Sequence, residues 1–413
     1  MVRKSESIIA HNMRVFYVVD ASRALFFLSS IWVLFERQFL TLSQLTLIEA
    51  CIVGTTLVMQ LPTGAFADLF GKRKAMILGE SLYVLAFIIY SLSSTFSMFL
   101  LYAFLLGLAG AFIDGTREAL LYDTLRQEHR EHTFPVTASK LSMIFQISLS
   151  LAILIGGFIG SFSYVYTIWM TACAFVVSTT ASFFFREPLI DTEKFTIAAY
   201  INKTKQGMQE LLKNFYIKKI SLFYILIGSV TWTCVFSLNM ILMTSLAFSS
   251  KEIGVSISIA RIFNGVILFG LLRTTTFFNR NRTFTFLPLL LAVCLIPSVF
   301  LTKWLALIPV ICIMFGSAAR WNILGRYTNA EFSSKNRATA ISALNMVIGI
   351  SYVIVMGFSG PIMEHFGDAR IIYTVFGFVS LLIILPLGLH LAKHHGEQAL
   401  PAKEMVTDDI MHS

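Results

Sequence analysis

The sequence predicts an all-α membrane protein with twelve transmembrane helices in two six-helix, pseudo-symmetric halves. Three observations predict it. The composition is too apolar for a water-facing surface, about twelve apolar runs have spanning length, and the basic residues gather on one side of those runs.

Of the 413 residues, 56% are hydrophobic, 14% aromatic and 13% charged, with a mean hydropathy of +0.75. A soluble domain carries about 25% charged residues, so the bilayer is the solvent to assume. The apolar runs lie near 14–35, 42–66, 75–94, 97–122, 137–159, 164–185, 219–245, 253–272, 283–301, 304–325, 337–358 and 371–391. Hydrocarbon leaves backbone groups no partner but one another, which predicts helices throughout. The first run contains Asp20 and Arg23 and has no small-residue exit, so it is expected to be a true span and not a cleaved leader. Cys51, Cys173, Cys234, Cys294 and Cys312 all fall inside spans without C-x-x-C spacing and are expected to be reduced apolar filler.

The formal charge is +9, and its distribution explains it. With the termini inside, only Arg37, Lys251, Lys303 and Arg370 face outward. Arg23, Arg117, Arg261 and Arg320 lie within spans, and the rest of the 32 Lys and Arg fall on the inner side. This is the positive-inside pattern, and it excludes nucleic acid as the reason for the basic balance. The expected location is the cell (inner, cytoplasmic) membrane, multi-pass, with both termini cytoplasmic.

Four segments are expected along the chain: a six-helix bundle over 1–185, a cytoplasmic linker over 186–218, a second six-helix bundle over 219–391 and a polar tail over 392–413. In the linker, Ala198, Ile201, Lys205, Met208, Leu212 and Phe215 recur at helical spacing, which predicts an amphipathic helix on the membrane face. Paired six-span halves are a layout of carriers built from repeats.

The short loop after the second run reads GAFADLFGKRK over residues 64–74. Gly64-x-x-x-Asp68-x-x-Gly71-Lys72-Arg73 resembles the loop signature of the major facilitator superfamily, Gly-x-x-x-Asp-(Arg/Lys)-x-Gly-(Arg/Lys)-(Arg/Lys). It departs at Leu69, where the family usually has a base. Residues 60–68 (QLPTGAFAD) and 115–125 (GTREALLYDTL) look like segments of the bacterial drug-efflux branch. Gln60 stands where many members have Glu. AILIGGFIG over 152–160 keeps Gly156 and Gly157 of an exporter signature in the fifth span, with Ala152 and Ile153 replacing Gly-Pro. The resemblance implies a conformational latch made by Gly64, Asp68, Gly71, Lys72 and Arg73, near the start of span eleven. Physically, Gly64 allows close helix approach, Gly71 a tight turn, and Asp68 an acceptor for a helix N-terminus. Asp123, at the inner end of span four, is a candidate partner for one of the bases.

Charged residues inside spans are functional candidates by default. At 1.5 Å per residue, Asp20 and Arg117 both lie about 9 Å from the inner membrane face, and Arg23 and Asp114 about 14 Å. The matched depths predict the pairs Asp20–Arg117 and Arg23–Asp114, with Glu118 beside them, as a buried charge network that could couple transport to protons. Glu80 is expected to be structural. Glu49 is an isolated acid in the outer half. Arg320 is expected either to meet an acid such as Glu118 or Glu49, the reading favoured here, or to bind an anionic substrate group. Trp232, Asn239, Asn322 and Asn345, with Phe16, Phe27, Tyr224 and Trp321, are candidates for a mixed substrate pocket; the resemblance places spans one, four and ten on the cavity.

Residues 64–72 do not have phosphate-loop spacing, EHREH over 128–132 is not HExxH, and no GxSxG turn occurs. The expected function is proton-coupled efflux of an amphipathic compound or drug by alternating access. The alternatives are a proton-coupled importer of an organic solute or anion, and a receptor or scaffold without flux. The expected partners are a small-molecule substrate, protons and membrane lipid, without nucleic acid, cofactor or metal, and the expected state is a monomer.

Overall fold

The computed structural model describes residues 7–189, 197–274 and 279–394, and these contain helices and no strand. Ten helices among them are long and apolar enough to cross a membrane. The other two expected spans are also helical. The first is broken into Ile8–Ala24, a 3₁₀ turn at Phe27–Ser30 and Trp32–Glu36; the eighth is helical over Ser250–Thr274. The expected tail beyond Leu391 falls mostly outside the described residues.

Two compact units emerge, Met1–Tyr200 with Phe248–Ile259, and Ile201–Ala247 with Ala260–Ser413. The opening turns of span eight thus pack inside the first unit. Glycine explains it: a Cβ on Gly157 would strike the backbone of Ser250 and Gly254, so two helices touch main chain to main chain.

The break in span one has a similar origin. Gly156 of span five (Phe134–Gly160) admits the Phe27 carbonyl, where a Cβ would collide. The Thr171 hydroxyl of span six (Tyr164–Ser182) accepts a hydrogen bond from the Leu28 N–H at 3.1 Å. Backbone groups released from the helix must find such partners. The two glycines kept from the exporter signature therefore each seat a foreign backbone.

Span two, Leu42–Phe70, starts on a capping box in which the Gln44 N–H donates to Thr41 Oγ1 at 3.3 Å and the Thr41 N–H to Gln44 Oε1 at 3.1 Å. It runs on through Pro62. Thr63 Oγ1 donates to the Met59 and Ala111 carbonyls, both at 2.8 Å, tying it to span four. It ends at Gly71, which is also the residue before span three, Lys72–Leu92. Gly71 has φ +101°, a backbone state that side chains resist, so one glycine makes the whole turn.

Span four comprises Phe96–Ile113 and Thr116–Arg126. The sequence expectation was one continuous helix. Asp114 is extended and Gly115 has φ +80°, so the helix restarts inside the membrane.

In the second unit, span seven (Phe215–Ser245), span ten (Leu307–Ala330) and span twelve (Arg370–Lys393) each contain a π-helical turn, at Cys234–Leu238, Arg320–Leu324 and Ser380–Ile384. Span nine covers Arg280–Phe300 and span eleven Arg337–Phe366. The linker helix is Ile197–Leu211. From residue 201 on, Gly207, Glu210 and Leu211 are buried, while Ile201 and Leu212 of the predicted apolar face are exposed.

Candidate functional site

The signature loop is held by carboxylates. Lys72 Nζ pairs with Asp123 Oδ2 of span four, joining the two candidates that sequence brought together. The Lys72 and Arg73 N–H groups each donate to the Glu187 carboxylate at 2.7 Å. Arg73 Nη2 donates to the Phe183 carbonyl at 2.6 Å. An anion at a helix N-terminus meets unpaired N–H groups and the positive end of the helix dipole. Glu187 was missed by the sequence reading because it lies more than a hundred residues further along the chain; its only local signal is an acid before Pro188, just past span six. Asp68 sits exposed on the last turn of span two, and Gly64 is half-buried there.

The segment after span six also ties to span one. The Asn12 amide donates to the Arg186 carbonyl and Thr124 Oγ1, and the Arg186 N–H returns a bond to Asn12 Oδ1. Glu128 closes the same end, accepting from Ser7 Oγ at 2.6 Å and the Ile9 N–H at 3.3 Å. The Ser7 bond, with the backbone donor, holds the Glu128 carboxyl below its ordinary range.

Deeper in the first unit lies the charge network. Arg117 grips Asp20 with a two-pronged contact, Nε to Oδ1 at 2.6 Å and Nη2 to Oδ2. Asp20 is 1% exposed. This is the planar fork that makes arginine–carboxylate pairs strong. The second expected pair does not form. Arg23 Nε meets Glu80 Oε1 at 3.1 Å, with Tyr83 beside the guanidinium. Asp114 is exposed and within electrostatic reach of Arg23, without an ion pair among the described residues. The break at Asp114–Gly115 redirects that carboxylate, and Glu80, expected to be merely structural, takes its place. Glu118 is exposed on the first turn after the break.

Buried acids escaped the sequence reading, Glu36 and Glu331 among them. Glu36, 1% exposed, accepts from the Tyr90 hydroxyl at 3.0 Å. Among the described residues it has no ion pair, and Glu49 lies within its electrostatic range. Read from sequence, Glu36 belonged to a loop end; the second short helix of span one carries it inside.

The second unit has its own base–acid pair at the corresponding place. Arg280 Nη1 on the first turn of span nine lies 3.3 Å from Glu331 Oε1 just past span ten. Arg320 has no acid partner among the described residues, contrary to the favoured expectation. It is 1% exposed, with Tyr224 at 5.0 Å and Trp321 at 4.4 Å from its guanidinium carbon. The pocket candidates separate. Asn239 is 3% exposed and accepts from the Tyr373 hydroxyl at 2.8 Å, so it serves helix packing. Phe16 and Phe27 are core residues, Phe16 packing on Phe185. Trp232 is half-buried against Tyr352. Asn345 is half-buried, and Asn322 is exposed with its amide donating to the Ala318 carbonyl. Among the described residues no cluster of metal-ligating side chains occurs, and the five thiols are free.

Known proteins resemble this architecture along its length. The Multidrug resistance protein 2 of Bacillus subtilis (strain 168) is 24% identical over 352 residues, covering 82% of this chain and 84% of the relative. The crystal structure of the nucleoside transporter NupG superposes with a TM-score of 0.71 at 13% identity, over 94% of this chain and 100% of that one. An auto-inhibited POT family peptide transporter superposes with a TM-score of 0.68 at 13% identity, over 94% and 98%. The model of the Major Facilitator Superfamily matches residues 16–319, and the chain belongs to that family of multi-pass membrane transporters.

Proposed function

We propose that this transporter exports amphipathic small molecules by alternating access, driven by protons, from the cytoplasmic membrane with both termini inside. The single observation that carries the coupling is the two-pronged Arg117–Asp20 contact in the membrane interior. A proton delivered to Asp20 removes the charge that holds Arg117, and the fork opens; proton loss restores it. Two halves that rock around a central site can use such a change to favour one orientation. The direction of transport is supported by the multidrug-resistance name of the Bacillus relative and by the glycine pair at 156 and 157. Gly64, Asp68, Gly71, Lys72, Arg73 and Asp123 act as the latch in this reading, the Lys72–Asp123 pair fixing the loop against span four. Arg23, Asp114 and Glu118 tune the field around Asp20, and Trp232, Asn322 and Asn345 contribute to the substrate path. The protein acts as a monomer, with lipid as its solvent.

The test is a substrate panel in inside-out vesicles with a pH-sensitive dye in the lumen. Addition of a substrate should release protons from an acidified lumen in the wild type and not in Asp20→Asn, although the variant reaches the membrane. Normal proton-driven flux by Asp20→Asn would refute the assignment.

A further inference from the structure

Arg320 is a buried cation on a membrane helix, and it has no counter-charge in contact among the described residues. Counting from Ala330, it lies about 15 Å from the inner end of span ten, close to the middle of the bilayer. Tyr224, nine residues into span seven, sits at a similar depth. The guanidinium is 1% exposed, and its Nε and Nη1 atoms have no hydrogen-bond partner among the described residues. The polar side chain beside it is Tyr224, an uncharged phenol. Trp321 and Tyr224 present rings at 4.4 and 5.0 Å.

Local structure aims the side chain there. Arg320 opens the π-helical turn Arg320–Leu324, and such turns gather at functional sites because the extra residue displaces a side chain from its ordinary helical position. Gly228 of span seven packs beside the stem, with Arg320 Cδ at ordinary contact distance, 3.5 Å, from where a Cβ would stand. A buried charge is normally paired. Aromatic faces compensate a guanidinium in part, through cation–π attraction, but they accept no hydrogen bond from Nε or Nη1.

We infer that Arg320, with Trp321 and Tyr224, forms a substrate subsite for a carboxylate or other planar oxyanion attached to an aromatic body. The oxyanion takes one edge of the guanidinium, Nε with Nη2 or Nη1 with Nη2, so that an idle N–H gains an acceptor in fork geometry, and the aromatic body lies against the Trp321 and Tyr224 rings. The inference rests on the transport reading and narrows its substrate class to amphipathic organic anions.

The experiment uses the purified full chain with three probes: a fluorescent aryl carboxylate, its primary amide, and a lipophilic aryl cation. Equilibrium binding is measured in detergent and uptake in proteoliposomes. The carboxylate should bind about tenfold more tightly than the amide, the worth of one charge-assisted contact. Arg320→Gln should abolish that preference, and Arg320→Lys should retain part of it. Equal binding of carboxylate and amide to the wild type overturns the inference, as does a preference that survives Arg320→Gln. The wild-type comparison stands even if the variant fails to fold. Uptake of the amide or cation without a carboxylate preference refutes the anion subsite and leaves the transport reading intact. Absence of uptake for all three counts against the transport reading, while the binding comparison still decides the subsite.

Discussion

Arg280 and Glu331 meet at 3.3 Å between the start of span nine and the end of span ten, the positions in the second unit that Lys72 and Asp123 occupy across spans three and four in the first. Each pair joins the first turn of one helix to the end of the next. The loop signature around Lys72 has no sequence counterpart before Arg280, yet the electrostatic contact recurs. Repeated halves conserve the interaction that holds a helix pair when the loop that carries it has diverged.

Removing one member of the second pair should therefore cost as much as in the first. Glu331 is 5% exposed and the Arg280 side chain 14%, so Glu331→Gln leaves a poorly hydrated guanidinium. About 3 kcal/mol of destabilisation is expected. A lowered thermal midpoint of the purified protein reads this out, and the exchange Arg280→Glu with Glu331→Arg should recover much of the loss. No recovery would mean that the two residues act separately.

Glu187 should behave as a helix cap supplied from a distance. Its carboxylate takes the Lys72 and Arg73 N–H groups and is itself exposed, so Glu187→Ala should cost only about 1 kcal/mol. The effect should be local. Amide exchange should accelerate at Lys72 and Arg73 and remain unchanged further along span three.

Which parts of the site could be read from sequence follows from the range of each interaction. Gly71 was legible because a turn of one residue between two helices demands a glycine. Asp20–Arg117 was legible because equal depth on two spans is a one-dimensional property. Depth alone could not choose Arg23's partner: Glu80 lies about 12 Å from the start of span three, close to the depth of Asp114. Helix rotation and the break at Gly115 decide between them, and neither appears in apolar periodicity. The π-helical turns at Cys234, Arg320 and Ser380 were invisible for a related reason, since one inserted residue leaves a uniformly apolar run unchanged. Glu187 and Glu36 depended on where segments past a span end come to rest.

The corrected pairing makes a direct comparison possible. Glu80 is 0% exposed and ion-paired to Arg23, while Asp114 is exposed and makes no ion pair among the described residues. Glu80→Ala strands the Arg23 charge and should destabilise by about 3–5 kcal/mol. Asp114→Ala should cost under about 1 kcal/mol in stability. Thermal midpoints of the two variants separate the cases; equal losses would restore Asp114 as the partner of Arg23.

The linker helix supplies a pH prediction. Glu210, 5% exposed, accepts from the Ser333 N–H at 2.9 Å and from the Asn336 amide at 3.1 Å, pinning the linker to the loop before span eleven. Burial alone would raise its carboxyl, but the donors of Ser333 and Asn336, aided by Lys213, outweigh burial and hold it below the ordinary carboxylate range. A depressed folded value means that the unfolded linker binds a proton more readily than the folded one. The stabilisation is thus fully present above the unfolded carboxylate value of about 4.3. It is lost as pH falls through the lower folded value. Protection of the Ser333 amide, normalised for intrinsic exchange, should persist at neutral pH and fall away only in that acid window. In Glu210→Gln the amide should be weakly protected at every pH, because the neutral side chain offers a weaker acceptor. Protection in the wild type that declined instead between pH 6 and 8 would assign the tether to another titrating group.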